Sequence, residues 1–489
     1  MSKPLVHIQN LNLQYQYKLV LRDLNWTVNH GENWLLGGIS GSGKTSLAKV
    51  IAGLQNAAGK LKFNFDANSS LAAKALFVES WYQFKNIEGV ANFYYQQRYT
   101  SLQAKETLTV NAELISFAKE NNLEFTGVEK LLDALNFSAL KNSQLLELSS
   151  GEHKKLQLIK ALWLKPQLLI IDQPYTGLDA ASRRTLNILL DEVSAKGVQL
   201  VLICNDTELP ISINRFAEIR EGQLVEVESK DMISAAPERE SRELPDFLKQ
   251  APVYSSNEIV KMIDVSIRYG DKQVLKNINW EVKAGEKWLL QGPNGSGKSK
   301  LLSLINGDHP QSYANNFYLF GSKRGSGESI WDIKQHTGII SPEFHWYFDG
   351  SSTVWQSIAS GLFDSVGLFR QLPFSQRAKV DELVEFFDLT QNKNDLLNTL
   401  PLGKQRLVLL ARTIIKNPEL LILDEPCQGL DQQQTQYFNH LVDELSSNGM
   451  TLIYVGHFES ALPSCLEKRI VLEKGEIKAI DNILESCLV

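Results

Sequence analysis

The chain has 489 residues, a length that exceeds one compact core and predicts two to four domains. Hydrophobic residues make up 43% of it and charged residues 22%, which is ordinary for a soluble globular protein. The formal net charge of −6 lacks the basic excess of proteins that bind nucleic acid through its phosphates, so we expect no direct nucleic-acid partner.

The four cysteines, at positions 204, 427, 465 and 487, show no C-x-x-C spacing, which argues against a zinc site and against a disulfide framework. The N-terminal sequence MSKPLVHIQN lacks the charged-then-apolar layout of a signal peptide. The sequence has no uninterrupted apolar run of about 18 residues, so the chain itself is not expected to span a membrane. These features predict a cytoplasmic protein whose only membrane contact would be peripheral, at the inner face.

The dominant feature of the sequence is an internal duplication. Leu13–Leu47 aligns without a gap with Ile267–Leu301, at an offset of 254 positions. LLIIDQPYTGLD, from Leu168, aligns with LLILDEPCQGLD, from Leu420, at an offset of 252. A net change of only two residues over such a distance indicates two complete domains. We therefore predict domain one at 1–228, a surface linker at 229–257 and domain two at 258–489.

In each half, the predicted elements alternate between strands and helices. A short apolar run, NWLLGG in half one and KWLLQG in half two, ends at glycine and is typical of a buried parallel strand. The segments that follow, KTSLAKVIAGL and KSKLLSLING, have helical periodicity, and QLLIID and ELLILD are again buried-strand runs. This order predicts an α/β domain with a mainly parallel sheet in each half.

Between the first of these strands and its helix lies a glycine-rich loop, GISGSGKT in half one and GPNGSGKS in half two. Both loops fit the pattern G-x-x-x-x-G-K-[ST], in which the glycines let successive backbone N–H groups surround a phosphate. The lysine would reach the β- and γ-phosphates of a nucleotide, and the helix N-terminus adds its positive dipole end. The alternative is a structural glycine turn, which two copies in register argue against.

The predicted nucleotide-binding residues of the two loops are Gly38, Ser40, Gly41, Ser42, Gly43, Lys44, Thr45, Gly292, Asn294, Gly295, Ser296, Gly297, Lys298 and Ser299. The hydroxyls of Thr45 and Ser299 are predicted to ligate Mg²⁺. The aspartate that ends each later apolar run, Asp172 or Asp424, fits the Walker B role of holding Mg²⁺ through water. Helix capping by these aspartates is the alternative. ATP and Mg²⁺ are therefore the expected cofactors.

Three further motifs give a family resemblance. LSSGEHKKLQL, which begins at Leu148, resembles the LSGGQ signature of the ATP-binding cassette (ABC) ATPases. Tyr15 and Tyr269 each lie 23 residues before the first glycine of a phosphate loop and resemble the aromatic residue that stacks on adenine in that family. Packing at a strand end is the alternative role for these tyrosines. Asp179 and Asp431 match the D-loop, so the resemblance covers both halves almost end to end.

The resemblance implies two P-loop ABC ATPase domains, each with a RecA-like, mainly parallel sheet, an antiparallel β part and a helical subdomain. It also implies intramolecular head-to-tail pairing, in which each ATP lies between the phosphate loop of one half and the signature of the other. In half two, Glu425 would be the general base, His457 would contact the γ-phosphate, and Lys298 completes the catalytic set. Ser149 and Gly151 of the first signature would contact ATP.

Four positions depart from the family pattern. Gln173 and Asn205 replace the general base and the histidine in half one, and Pro401 and Leu402 replace signature residues in half two. Proline brings neither a hydroxyl nor an N–H, and leucine adds bulk where a phosphate approaches closely. Under head-to-tail pairing, all four departures fall in the same composite site. The sequence therefore predicts one hydrolytic site and one degenerate site that still binds ATP through its intact phosphate loop.

The family's Q-loop glutamine is also missing. Ser80 and Pro342 stand at its two positions, which argues against coupling to a transporter in the usual manner. An aromatic-rich stretch follows each of them, at Trp81–Tyr99 and at Phe344–Phe348. Packing within the helical subdomain is the favoured role of these stretches, and docking of a partner is the alternative.

The segment Gly307–Gly338 resembles ModF-type tandem ATPases, which are associated with molybdate-transport loci. The favoured function is therefore the energising subunit of a membrane transporter, with separate transmembrane permease subunits as partners. A soluble ABC ATPase that acts on ribosomes or another complex, or an ATP-dependent regulator, is the alternative. Translation-factor ABC proteins usually carry a long basic linker and two intact sites, whereas this linker is short and mixed in charge.

Overall fold

The structure is a computed structural model that describes residues 3–15, 18–65, 74–80, 107–206, 208–233, 243–269, 272–348, 350–430, 432–456 and 462–483. The chain divides into two compact units, with the described residues up to Ile233 in the first and those from Glu243 onward in the second. None of the helices in these ranges is both long and apolar enough to cross a membrane.

The first unit contains the elements of the first sequence half. Its strands are β1 (Val6–Tyr15), β2 (Lys18–Val28), β3 (Trp34–Gly37), β4 (Ala58–Phe63), β5 (Ala75–Val78), β6 (Leu168–Asp172), β7 (Gln199–Ile203), β8 (Arg215–Arg220) and β9 (Gln223–Val227). Its helices are α1 (Lys44–Ile51), α2 (Val110–Glu120), α3 (Thr126–Ala134), α4 (Ser150–Trp163) and α5 (Ala180–Ala195).

The larger sheet of this unit has the order β5-β6-β7-β3-β8-β9 among the described strands. All neighbours in it are parallel except β8 and β9. Strands β6 and β7 are buried along their whole length, which is why they are continuous apolar runs. An antiparallel sheet, β2-β1-β4, forms the second β part. Because the carboxyl ends of parallel strands meet at one edge, the loops after β3 and β6 lie close together.

The helical part of the first unit has its own core. Helices α2, α3 and α4 bury apolar faces against one another, with Leu114, Leu132 and Leu156 fully buried between them. Trp163, at the end of α4, is also buried and contacts the ring of Phe117. Apolar residues at helical spacing on all three helices therefore build a small subdomain beside the sheet.

The second unit repeats this plan. Its strands are β10 (Glu258–Tyr269), β11 (Lys272–Lys283), β12 (Lys287–Gln291), β13 (Asn316–Leu319), β14 (Ser322–Lys323), β15 (Thr337–Ile340), β16 (Leu420–Asp424), β17 (Thr451–Val455), β18 (Lys468–Glu473) and β19 (Glu476–Asn482). Its helices are α6 (Asp246–Lys249), α7 (Lys298–Ile305), α8 (Ile330–His336), α9 (Pro342–Tyr347), α10 (Val354–Ala359), α11 (Phe374–Phe386), α12 (Leu402–Ile414) and α13 (Gln432–Ser447).

The larger sheet of the second unit has the order β15-β16-β17-β12-β18-β19, which matches the first unit strand for strand. Its neighbours are parallel except β18 and β19. A second, antiparallel sheet has the order β11-β10-β13-β14. The predicted fold class, two α/β domains each with a mainly parallel sheet, an antiparallel β part and helices, is confirmed.

Part of the predicted surface linker packs onto the second unit. Leu248, in the short helix α6, is buried in the second unit's core. The Tyr254 hydroxyl donates to the carbonyl of Gly449 and accepts from the Thr451 hydroxyl at 3.0 Å. Leu248 and Tyr254 therefore anchor residues 243–257 on the second unit, while most of this segment stays exposed, including Val253 at 90%. Residues 234–242 lie outside the described ranges.

The aromatic stretch of half two packs inside its own unit where its side chains are described. The guanidinium carbon of Arg412 lies 4.9 Å from the ring centroid of Phe344 and 5.2 Å from that of Phe348. Phe348 and Arg412 are both buried. These contacts agree with the favoured role in packing. The stretch Trp81–Tyr99 of half one lies outside the described residues.

Candidate functional site

The phosphate loops have the backbone that their glycines predict. Gly43 and Gly297 each precede a helix, α1 or α7, with φ of 109° and 108°, values that side chains with a Cβ rarely adopt. A Cβ on Gly292 would lie 2.1 Å from the carbonyl oxygen of Leu472, so only glycine fits there. Both loops therefore join a central strand to a helix N-terminus, an arrangement that binds phosphate groups.

The loop lysines lie across their own loops. The Lys44 ammonium donates to the carbonyls of Gly38 and Ile39, both at 2.7 Å. The Lys298 ammonium donates to the carbonyl of Gly292 at 2.7 Å and to that of Pro293 at 3.1 Å. Each ammonium thus lies at the mouth of its loop, where it can pair with an anionic phosphate.

Thr45 and Asp172, the two predicted Mg²⁺ ligands of the first unit, lie side by side. The Thr45 hydroxyl donates to the Asp172 carboxylate at 2.7 Å, although 127 positions separate the two residues. Burial raises the pKa of the Asp172 carboxyl above its ordinary value, and the Thr45 hydrogen bond and the Lys154 ammonium oppose the rise. The Ser80 side chain also helps to hold the pKa of this carboxyl down. A hydroxyl and a carboxylate side by side at a phosphate loop are oxygen ligands that fit Mg²⁺.

The second unit has the same elements in the same places. Ser299 is the second residue of α7, and Asp424 is the last residue of β16 and is buried. Glu425 follows with φ of 44° and donates its backbone N–H to the Val455 carbonyl at 3.2 Å. Its carboxylate accepts a hydrogen bond from the side-chain amide of Gln428 at 3.1 Å. The predicted general base is therefore oriented by a residue of its own turn.

Gln173 occupies the backbone position of Glu425 in the first unit. It follows Asp172 with φ of 49°, and its N–H donates to the carbonyl of Ile203 at 2.8 Å. The backbone of the turn is therefore the same in both units, and only the side-chain chemistry differs. A neutral amide at this place has no carboxylate with which to accept a proton from water.

Asn205 holds the start of the first phosphate loop. Its side-chain oxygen accepts from the Gly38 N–H at 3.1 Å, and its side-chain nitrogen donates to the Gly38 carbonyl at 3.4 Å. This residue stands at the position of the family's histidine, and here it ties the loop to the end of β7. His457, at the matching position of half two, lies outside the described residues, as does Asp431.

The two signatures differ in how each begins its helix. Ser149 caps α4, because its hydroxyl accepts from the Glu152 N–H at 3.4 Å and its own N–H donates to the Glu152 carboxylate at 2.7 Å. Pro401 precedes α12 without a side-chain cap. The side chain of Leu402 lies against Gly429, where an added Cβ would be 2.8 Å from Leu402 Cδ2.

The candidate adenine-stacking tyrosines end β1 and β10. Their exposed fractions are 41% for Tyr15 and 38% for Tyr269, so part of each side chain is accessible. The Tyr15 hydroxyl donates to the Ser46 hydroxyl at 3.4 Å. The Tyr269 hydroxyl instead pairs with Nε2 of His309 at 2.7 Å. Both tyrosines lie beside the helix that follows their phosphate loop, and their role in binding adenine stays a prediction.

His309 is a neutral buried histidine behind Tyr269. It is 1% exposed, and its Nδ1 accepts from the Gln311 N–H at 3.2 Å, which leaves Nε2–H to donate to Tyr269. Burial, together with the nearby Lys300 ammonium, lowers the pKa of His309 to about 4. Nothing in the sequence pointed to it, because half one has Gln55 at the aligned position.

This low pKa predicts acid sensitivity in the second unit. An unfolded chain would bind a proton at His309 as the pH falls below about 6.5, whereas the folded chain binds it only near the pKa of about 4. The free energy of unfolding therefore keeps its full value above pH 6.5 and falls by about 3 kcal/mol as the pH decreases to 4. We expect His309→Gln to reduce the difference between the unfolding free energies measured with urea at pH 6.5 and at pH 4.5. His440→Gln, which removes an exposed histidine, should leave it unchanged.

Lys154 is a further residue that the sequence reading missed. It lies on α4 and is 2% exposed, and burial lowers its pKa to about 7 against the opposing charges of Asp172 and Glu79. Arg406, 252 positions later on α12, is fully buried. The sequence signal for this residue was that both halves have a basic residue at the aligned position, one helical turn after the signature.

Comparison with known proteins places these features in one family. The sequence model described as ABC transporter matches residues 21–176 and 275–428. The ABC transporter ATP-binding protein ModF of Escherichia coli K12 is 34% identical over 463 residues, which are 91% of this chain and 92% of ModF. An uncharacterised ABC transporter ATP-binding protein of Schizosaccharomyces pombe is 28% identical over 94% of this chain and 96% of that protein.

A third relative, an uncharacterised ABC transporter ATP-binding protein of Saccharomyces cerevisiae, is 27% identical over 75% of this chain and 76% of its own length. The family model matches twice, once in each unit, and the ModF alignment runs through both units. The resemblance predicted from the signature, the phosphate loops and the D-loops is therefore confirmed. The chain belongs to the ABC transporter family, as an ATPase with two ATP-binding cassettes in one polypeptide.

Proposed function

We propose that the two cassettes pair head to tail and hydrolyse ATP at one of two composite sites. The hydrolytic site combines residues of the second cassette with the first signature: Lys298, Asp424, Glu425, His457, Ser149 and Gly151. The degenerate site combines residues of the first cassette with the second signature: Lys44, Asp172, Gln173, Asn205, Pro401 and Leu402. ATP bound at the degenerate site would hold the two cassettes together.

The difference between the signatures carries this proposal. The first signature begins α4 with a serine whose hydroxyl can donate to a phosphate, while the Ser149 N–H donates to the Glu152 carboxylate. The second begins α12 with proline, and its leucine packs on the Gly429 turn of its own cassette. Only the first signature therefore retains the polar groups that stabilise charge on a transferring phosphoryl group.

In the hydrolytic site, Glu425 would orient and deprotonate the attacking water, and Gln428 would hold its carboxylate. Ser299 and Asp424 would hold Mg²⁺, and Thr45 and Asp172 would hold it at the degenerate site. When bound, this ion neutralises charge on the phosphate oxygens. Lys298 would reach the β- and γ-phosphates from the loop carbonyls on which it now lies.

We further propose that hydrolysis energises a membrane transporter with separate permease subunits. This proposal is supported by the family and by ModF, an ABC transporter ATP-binding protein that is similar to nearly the whole chain. The described helices cannot cross a membrane, so such a transporter would need other chains for its pathway. The ModF-type resemblance makes molybdate the substrate to test first.

A second candidate function is that of an ATPase acting on ribosomes or another soluble complex. It is favoured by the Q-loop positions, where neither half has the glutamine that contacts Mg²⁺ and relays to a membrane partner. The Ser80 carbonyl accepts from the Lys154 ammonium at 3.4 Å, and Pro342 is the first residue of α9, which Ser341 caps through its hydroxyl. Both positions therefore have local structural roles.

Purification of the tagged full chain from its native cells separates the two candidates. The transporter proposal predicts that the chain sediments with membranes and that a polytopic membrane protein co-purifies with it in the presence of ATP. Recovery with ribosomes, and none with membranes, would favour the second candidate and refute the transporter role. The Glu425→Gln chain should give higher recovery in either case, because a blocked hydrolytic site keeps ATP-bound complexes intact.

A further inference from the structure

Lys154 connects three parts of the first unit. It is the fifth residue of α4, and its ammonium donates to the carbonyl of Glu79 at 2.8 Å, to that of Ser80 at 3.4 Å and to that of Asp172 at 3.0 Å. Glu79 and Ser80 follow β5, and Asp172 ends β6. One buried side chain therefore fastens the signature helix to the ends of two neighbouring strands.

The hydrogen bonds of the Lys154 ammonium group determine where it lies. A lysine has three N–H donors and no acceptor, and here each donor has a carbonyl within hydrogen-bond distance. Burying such a group without partners is costly, so movement of any one carbonyl alters the position that Lys154 prefers. The ammonium is thus suited to transmit a displacement from the strand ends to α4.

The contact also leads back to the first phosphate loop. The Asp172 carboxylate accepts from the Thr45 hydroxyl, and Thr45 is predicted to bind Mg²⁺ with the nucleotide. Lys154 donates to the backbone carbonyl of the same Asp172. At its other end, α4 begins with the capping serine, Ser149. Continuous contacts therefore run from Thr45 through Asp172 and Lys154 to the signature.

The second unit has a cation in the matching place. Arg406 lies 252 positions after Lys154, at the equivalent position of α12, and is 0% exposed. Arginine is therefore tolerated in this buried position of a cassette. Lys154→Arg is therefore the variant that keeps a cation, as the second unit does at the matching position, and Lys154→Met is the variant that keeps a long side chain without donors.

We propose that Lys154 is a positioning residue that transmits nucleotide binding at the first phosphate loop to the first signature, residues 149–151. This inference rests on the proposed function, in which that signature serves ATP on the second cassette. Occupancy of the degenerate site would then set the rate of hydrolysis at the other site.

The test is a double-mutant cycle on the full chain. We expect Lys154→Met to lower kcat about tenfold, a size typical of coupling between sites, with KM for ATP changed less than about twofold. Lys154→Arg should restore at least half of the rate. Lys44→Ala, which weakens nucleotide binding at the first loop, should also lower kcat. Adding Lys154→Met to it should then cost less than about twofold more, whereas independent effects would multiply.

Hydrogen exchange gives a readout that does not depend on turnover. In the Glu425→Gln chain, ATP should slow exchange of the backbone amides at 149–154, and Lys154→Met should remove that effect. Lys130→Met, which removes an exposed lysine from α3, is the control and should change neither kcat nor exchange. If Lys154→Met fails to fold, Lys154→Gln replaces it in both experiments.

Multiplying effects in the cycle would overturn the inference, and so would a Lys154→Arg chain as impaired as Lys154→Met. ATP-dependent protection that survives Lys154→Met would do the same. Failure of the proposed function has a different appearance, namely a wild-type chain that hydrolyses no ATP or a Glu425→Gln chain that still hydrolyses it. The two results are therefore distinguishable in one set of measurements.

Discussion

Replacing Glu425 by glutamine should lower kcat for ATP hydrolysis by roughly 10²- to 10⁴-fold, the usual effect of losing a general base. The variant copies the residue that half one carries at the same backbone position, since Gln173 and Glu425 share the strand end and the left-handed φ. Glutamine also keeps the volume of the side chain, so the fold and ATP binding should be retained. Steady-state phosphate release and equilibrium ATP binding measure the two effects separately.

The matched control is Gln173→Ala. We expect it to retain more than about half of the wild-type kcat, because the site to which Gln173 belongs does not carry the hydrolysis under our proposal. The opposite pattern, with Gln173→Ala inactive and Glu425→Gln active, would reverse the assignment of the two sites. Equal losses in both variants would show two sites that turn over together, which contradicts a single hydrolytic site.

The repeat in the sequence was sufficient to predict the architecture. Two copies of the same motifs at nearly constant offset require two domains of the same topology, and both larger sheets have the same strand order. The pairing of Thr45 with Asp172 was also predictable, since a phosphate loop and the end of a neighbouring parallel strand meet at one sheet edge. Local patterns repeated in register thus determine both features.

Contacts between distant side chains were not predictable in the same way. His309 lies 40 positions from Tyr269 and differs in type from the aligned residue of half one, so neither periodicity nor the repeat marks it. Lys154 lies in an amphipathic helix, where a lysine is normally exposed. Its burial depends on carbonyls at two strand ends, and only the assembled unit brings these together.

The linker is a further case in which the sequence pattern did not reveal side-chain contacts. Its charge, its three prolines and its lack of periodicity predicted a surface segment. Most of residues 243–257 are not buried, but Leu248 and Tyr254 anchor the segment on the second unit. A short stretch with two apolar anchors carries too little periodic signal to reveal its burial. Packing that depends on one or two side chains is decided by the shape of the surface that receives them.

The largest effect outside the general base should come from exchanging the two signatures. We expect Ser149→Pro with Ser150→Leu, which copies Pro401 and Leu402 into the first signature, to lower kcat about 10²-fold. Proline removes the hydroxyl that a phosphate would otherwise use, and it also removes the N–H that donates to Glu152. The loss of the helix cap costs about 1 kcal/mol, which is too little to unfold a domain.

The backbone favours a clean result in this exchange. Ser149 has φ of −71° and ψ of 166°, and Pro401 has φ of −57° and ψ of 148°, so proline fits the first position without strain. The reciprocal variant, Pro401→Ser with Leu402→Ser, should leave kcat within about twofold of wild type. The pair of variants thus makes the same chemical exchange in opposite directions, on two helices that begin alike.

Head-to-tail pairing gives this comparison its meaning. Glu425 and the second signature belong to the same unit. If a cassette used its own signature, Pro401 and Leu402 would limit hydrolysis by Glu425, and replacing them would raise kcat. Pairing predicts instead that the first signature controls hydrolysis by Glu425. A tenfold or greater gain from the reciprocal variant, with no loss from the first, would contradict the pairing and with it the division into one hydrolytic and one degenerate site.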